Sequence, residues 1–325
     1  MSTPFPRRQL GLTLVELMVA LVLGLVVIGA VTNLFLTNRQ TYRATENLAR
    51  MQENLRFAFE LMARDVREAG ATACPTTVVA NVLKDAPTSW SREGESLRAY
   101  GSCNAVPTFQ PSNCAAGTPV LAISRASNSA GEVRVTDHDP ETSATMNISH
   151  VGPLKTGDIL FVCKGSQAAI FQATNVNANS LTVVHQAGTG GGQGQGQLKP
   201  GNETKCLDFP LKPNQCKTSF KGGTLLRFEH ILWYLGNNKR NGTSLYRKVN
   251  DDDAVEMVPD IVALDFAFLS ENGNTYQTTA SVGNWTQVRA VRAIVTTESI
   301  DAVGTGGERL RRTHRFTVAL RNRLP

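Results

Sequence analysis

The sequence lacks the short motifs by which many enzymes and metal proteins announce themselves. It has no C-x-x-C pair, no H-E-x-x-H or H-x-H, and no G-x-S-x-G elbow. Zinc hydrolases and serine hydrolases need such spacings because they fix ligands or a nucleophile on one local framework. The five histidines, His138, His150, His185, His230 and His314, are dispersed along the chain, so neither catalysis nor a cofactor is expected. The glycine-rich stretch GTGGGQGQGQ, residues 188–197, has no G-K-[ST] ending and reads as a flexible surface loop rather than a phosphate cradle. The acidic run NDDDAVE, Asn250 to Glu256, offers oxygens for calcium at Asp251, Asp252 and Asp253. It lacks the D-x-[DN]-x-[DN]-G spacing, which leaves calcium the weaker expectation beside a solvated turn. A nucleic-acid stripe is also missing. The net charge is +6, but the bases are scattered beside acids, as in Glu46 with Arg50, Glu60 with Arg64 and Lys248 with Asp251, so no specific nucleic acid is expected as a partner.

Proline is absent from Pro6 to Pro75, which leaves a long segment free to be helical. Its first part, Leu12 to Leu36, carries one charge in 25 residues. As a helix it spans about 37 Å, enough for a bilayer core of about 30 Å. Arg7 and Arg8 precede it, which places the N-terminus in the cytoplasm and the rest of the chain across the membrane. A cleaved secretory signal fits less well, because the run is long and has no A-x-A-like cleavage site. A plain anchor gives no reason for Glu16, an acid that costs about 2.5–3.5 kcal/mol at a membrane-helix centre and less near its end.

The residues GLTLVE, Gly11 to Glu16, resemble the prepilin-peptidase site of class III signal sequences in type IV pilins and type II secretion pseudopilins. The resemblance implies cleavage after Gly11, N-methylation of the new first residue Leu12, and an assembly role for Glu16 at mature position five. Leu12 departs from the usual phenylalanine or methionine, and mature position 22, often proline, is Asn33. The chemistry agrees, since a new α-amine in or near low dielectric seeks a counter-charge, and a neighbouring subunit's carboxylate supplies one.

Beyond Leu36 an apolar stripe continues at Leu48, Met51, Leu55, Phe59, Met62 and Val66, with charges mostly on other faces. Charge pairs at Glu46 and Arg50, Glu53 and Arg56, and Glu60 and Arg64 support a helix from about Leu12 to Ala69, stopped by Gly70. The stripe suits docking of a head onto its own helix; a dimeric coiled coil is the alternative. After Gly70, short β-like runs alternate with Gly, Pro, Asn and Ser, and LRFEHILWYL and TSLYRKV read as a hairpin across GNNKRNG. The expected organisation is a leader over 1–11, a transmembrane half-helix over 12–36, an amphipathic half over 37–69 and a β-rich head over 70–325. The expected fold class is α+β and pilin-like, with a mostly antiparallel sheet.

Six cysteines without metal-ligand spacing suit disulfides in an oxidising compartment. Cys103 with Cys114 and Cys206 with Cys216 are the short-loop candidates, leaving Cys74 with Cys163, although Cys163 also reads as a free core thiol. The connectivity stays open.

DVREAG (Asp65 to Gly70), GDILFVC followed by AAIFQAT, TSLYRKV, VRAVRAIVTTES and the terminal RFTVALRNR are similar to the PilW-type minor pilins. The resemblance implies a subunit that takes part in initiating a pilus, supporting twitching motility, adhesion or DNA uptake. Its partners would be other minor pilins, the major pilin, the prepilin peptidase and the inner-membrane assembly platform. It would reside in the inner membrane with its head in the periplasm, and then in the pilus. Two alternatives remain: a GspJ-like pseudopilin of type II secretion, whose heads are usually shorter, and a membrane-anchored periplasmic binding module that never enters a filament.

Overall fold

A computed structural model describes residues 13–72, 74–75, 78–84, 95–127, 131–188, 200–211, 215–271, 273–304 and 306–323. The chain divides into two compact units, Met1–Gln52 with Ser299–Leu310, and Glu53–Glu298 with Arg311–Pro325. One helix, Leu14–Arg67, supplies residues to both.

The helix starts two residues later than the apolar run because Thr13 caps it. It ends two residues before the expected Ala69, where Ala69 N–H turns back to the Val66 carbonyl at 3.2 Å and Gly70 adopts a left-handed φ of 72°. A side chain at Gly70 would meet Ser96 at 3.0 Å as well as that backbone strain. Along its exposed side, Arg56 pairs with Glu60 and Arg64 with Glu68, replacing the expected pairings of Glu53 with Arg56 and of Glu60 with Arg64. These pairs lie in solvent and contribute little.

In the first unit, Asn47 holds the segment Ser299–Leu310. Its Oδ1 accepts from the Ile300 and Asp301 N–H groups at 3.1 and 3.3 Å. Its Nδ2 donates to the Arg43 carbonyl at 2.9 Å and to Asp301 Oδ2 at 3.1 Å. Ser299 N–H to the Leu310 carbonyl, at 2.8 Å, closes the segment on itself.

In the second unit the described strands form two sheets of twelve and four. The strand Thr224–Asn237 is the hub of the larger. Its N-terminal part pairs with Val133–His138 and Ile159–Lys164, and the remainder pairs with Val120–Ser127 on one side and Thr243–Val249 on the other. The last pairing is the expected hairpin; Asn238 Oδ1 organises its turn by accepting from Arg240 and Gly242 N–H at 2.9 and 3.0 Å. All described pairings are antiparallel except Val78–Asn81 with Gln167–Gln172. The smaller sheet runs Gln277–Thr278, Ile261–Ser270, Val288–Glu298, Arg311–Ala319.

The alternating burial of Val288–Glu298 turns Val291, Ala293 and Val295 inward. There they meet the helix residues Leu55, Ala58, Met62 and Val66 together with Trp233 and Phe266 from the sheets. The chain is thus α+β, a long N-terminal apolar helix followed by a β-rich head. Several short strands, among them Thr145–Ile148 and Val255–Pro259, were not expected from the sequence. The latter begins inside NDDDAVE, so that run is a turn only up to Ala254.

Candidate functional site

The N-terminal end of the helix is built by its own sequence. Thr13 Oγ1 accepts from the Glu16 N–H, and Glu16 Oε2 accepts from the Thr13 N–H, both at 3.2 Å. This is a reciprocal capping box, T-x-x-E, which satisfies two amides that the first turn leaves orphaned. The carboxylate also sits where the helix dipole favours negative charge. The sequence reading of Glu16 missed this local role, although the threonine three residues upstream is its signal. Gly11 and Leu12 lie outside the described residues.

From Leu14 onward Val15, Leu21, Leu25, Ile28 and Phe35 are all exposed, and among the described residues none buries the most apolar window of the helix. The hydroxyls of Thr32 and Thr37 donate to the carbonyls one turn back, Ile28 at 2.8 Å and Asn33 at 2.9 Å. This helix is long and apolar enough to cross a membrane, and the backbone-bonded threonines present little unpaired polarity to lipid.

Residues 6–32 match the family model of the prokaryotic N-terminal methylation motif. No curated protein and no solved structure matches the chain. The methylation motif supports a type IV pilin-like or pseudopilin-like protein, implies processing by a prepilin peptidase and, together with the apolar helix, suggests anchoring in a membrane.

The methylation motif ends well before the second chemically distinctive region, where the helix meets the larger sheet. Asp65, only 4% exposed, is the centre of it. Trp233 Nε1 donates to Asp65 Oδ2 at 2.9 Å and Arg247 Nε to the same oxygen at 2.7 Å. Arg125 lies 3.2 Å from Asp65 Oδ1 and 2.9 Å from Glu229 Oε2, and it also bonds Glu68. Two guanidiniums and three carboxylates therefore share one mostly enclosed network, the arrangement that buried charge requires. The sequence had offered DVREAG only as a resemblance. Its two acids, Asp65 and Glu68, both reach Arg125 of the larger sheet, and Asp65 reaches Arg247 as well.

The cysteines form Cys74–Cys163, Cys103–Cys114 and Cys206–Cys216. The histidines, dispersed in sequence, are partly gathered by the fold: the His138 and His185 rings stand 5.3 Å apart beside Phe171 and Phe220. His138 Nδ1 accepts from the Phe220 N–H at 3.1 Å, while neither ring nitrogen of His185 has a well-formed hydrogen bond. Burial pushes His138 down to about 4 against the nearby charges of Asp139, Asp137 and Asp208, and His185 down to about 3. His230 Nδ1 lies 3.0 Å from Ser124 Oγ, but both residues are buried and burial again holds the imidazole at about 3. Neutral imidazoles packed in this way behave as core side chains.

Asp251, Asp252 and Asp253 are exposed. Arg227 places its guanidinium 2.8 Å from Asp252 and 3.3 Å from Asp158, so that a fixed cation already stands between those carboxylates. Among the described residues no three His, Cys, Asp or Glu side chains are arranged to hold a metal ion. Gly188 bridges Asn202, and residues 189–199 of the glycine-rich stretch lie outside the described residues.

Proposed function

We propose that this protein is a minor pilin of PilW type, cut after Gly11 by a prepilin peptidase and incorporated with other minor pilins and the major pilin into a pilus. The observation that carries this reading is the methylation motif over residues 6–32 at the head of an exposed apolar helix. In a membrane that helix is an anchor; in a filament the same surface packs laterally against other subunits. Cleavage after Gly11 leaves Glu16 at the fifth mature position, within reach of a neighbouring subunit's α-amine when subunits stack with a stagger. Burying both charges together costs far less than burying either alone. The head then selects neighbours, and no catalytic role or cofactor is proposed for it. Before assembly the chain lies in the inner membrane, held by the assembly platform, with its head in the periplasm.

The head-motif similarities and the size of the head favour the pilus over a GspJ-like secretion pseudopilin. Mass and N-terminal sequencing of the membrane-extracted protein test the reading. An N-methylated Leu12 is expected; an intact Met1 in a strain with active peptidase, or a cut near Ala30, would overturn it. A deletion strain that exports proteins normally but loses pili separates the pilus from the secretion system, and the reverse phenotype would reassign the chain.

A further inference from the structure

The strand Arg311–Ala319 closes one side of the smaller sheet, pairing with Val288–Glu298 and with no other described strand. Leu320 N–H donates to the Arg289 carbonyl at 2.8 Å. By the two-residue period of a strand, the even-numbered residues then point their backbone groups at the neighbour. Arg311, Thr313, Arg315 and Thr317 point theirs away from it, leaving a row of amides and carbonyls for another strand. Residues 311–315 are exposed, so this end of the strand is open on both faces as well as along its edge.

The chemistry of the edge selects its occupant. Arg311, Arg312, His314 and Arg315 fall within five residues, and no Asp or Glu occurs from Arg309 to Arg323. Arg311 is paired with Glu298 at 2.8 Å. Among the described residues Arg312 and Arg315 have no carboxylate partner. A second copy of this strand would set arginine against arginine, which disfavours it. An acidic strand meets the opposite situation, with backbone pairing supplying affinity and charge supplying selection.

We propose that the free edge of Arg311–Ala319 takes up an acidic, extended segment of another polypeptide as an additional strand. The inference rests on strand geometry and charge and stands apart from the assignment to a pilus. A negatively charged nucleic acid would satisfy the arginines but would leave the row of backbone donors and acceptors without a matching partner.

The test uses the full-length protein in detergent micelles and a fluorescent ten-residue peptide of alternating Glu and Val. The Glu-Val peptide should bind and weaken as salt rises, while a Lys-Val peptide should not bind. Amide exchange should slow at Thr313, Arg315 and Thr317 on binding. Substituting Arg312→Glu and Arg315→Glu together should weaken binding by about tenfold or more, since attraction is replaced by repulsion. A Glu-Val peptide N-methylated at alternate residues along its pairing edge keeps the charge but cannot form the ladder, and it should lose binding even if the arginine variant fails to fold. Equal binding of the N-methylated peptide, absence of binding by the Glu-Val peptide, or tighter competition by a 20-base-pair DNA duplex would each overturn the proposal.

Discussion

Trp233 Nε1 and Arg247 Nε converge on one oxygen, Oδ2 of Asp65, at 2.9 and 2.7 Å. A single carboxylate thus satisfies a buried indole and holds a guanidinium from the adjacent strand. Replacing Asp65 by Ala would strand Arg247 and the Trp233 indole beside an emptied site, while Arg125 keeps Glu229 and Glu68, and breaking such a network from one side costs about 3–5 kcal/mol. Asp65→Asn should cost less, because the amide oxygen still accepts from Trp233 while the charge is lost. Chemical denaturation of the full chain in detergent, followed by tryptophan fluorescence, reads the effect. An alanine variant within about 1 kcal/mol of wild type, the size of one ordinary hydrogen bond, would show that the network carries no stability.

The capping box makes Glu16 separable from its proposed assembly role. Thr13→Ala keeps the carboxylate but breaks the cap, at about 1 kcal/mol of local helix stability. Glu16→Gln keeps the reciprocal geometry, since glutamine also serves at that position, but removes the charge. If charge matching to a neighbour's amine is what matters, pili should contain the Thr13→Ala protein and exclude Glu16→Gln, with both leaders cleaved. The opposite outcome, detected by immunoblot of sheared pili, would make the cap the function of Glu16.

Much of this architecture could be read from sequence because its signals are periodic or local. The apolar run, the three- and four-residue stripe through Leu55, Met62 and Val66, the stop at Gly70 and the hairpin around Asn238 and Gly242 are all encoded by neighbours in the chain. What escaped was of three kinds. Asn47, Asn54 and Asp65 lie among the buried apolar residues of the helix stripe, but a hydrophobic pattern treats them as interruptions; only their partners, Asp301, the Pro259 carbonyl and Trp233, reveal why they are inside. His138 and His185 meet through sheet pairing over a separation no spacing rule covers. Short strands such as Thr145–Ile148 take their identity from the partners on either side rather than from four residues of their own.

The buried imidazoles give a pH dependence with a definite sign. His138 is held at about 4 and His185 and His230 at about 3, against the ordinary 6.5. Between pH 6.5 and 4 the unfolded chain therefore binds protons that the native chain refuses. Stability is fully present above pH 6.5 and is lost as the pH falls toward 4, by about 1.4 kcal/mol per pH unit for each histidine. His185→Leu should flatten that slope by about one such increment. Denaturation midpoints measured from pH 7 to pH 4.5 test it, and an unchanged slope in the variant would exclude His185 as a contributor.

The three disulfides should differ in worth. Cys74–Cys163 closes a separation of 89 residues, whereas Cys103–Cys114 and Cys206–Cys216 close 11 and 10. Restriction of the unfolded chain alone gives about 4.5 kcal/mol for the long loop and about 3 kcal/mol for each short one. The long bridge also ties the segment after the helix to the larger sheet, where Cys163 is buried beside Phe161 and Ile170. Replacing Cys74 and Cys163 together by Ser should lower stability more than replacing Cys206 and Cys216, and the gap should persist under conditions where the remaining bridges stay oxidised. Equal losses from the two double variants would mean that native packing, rather than loop length, sets the contribution of each bridge.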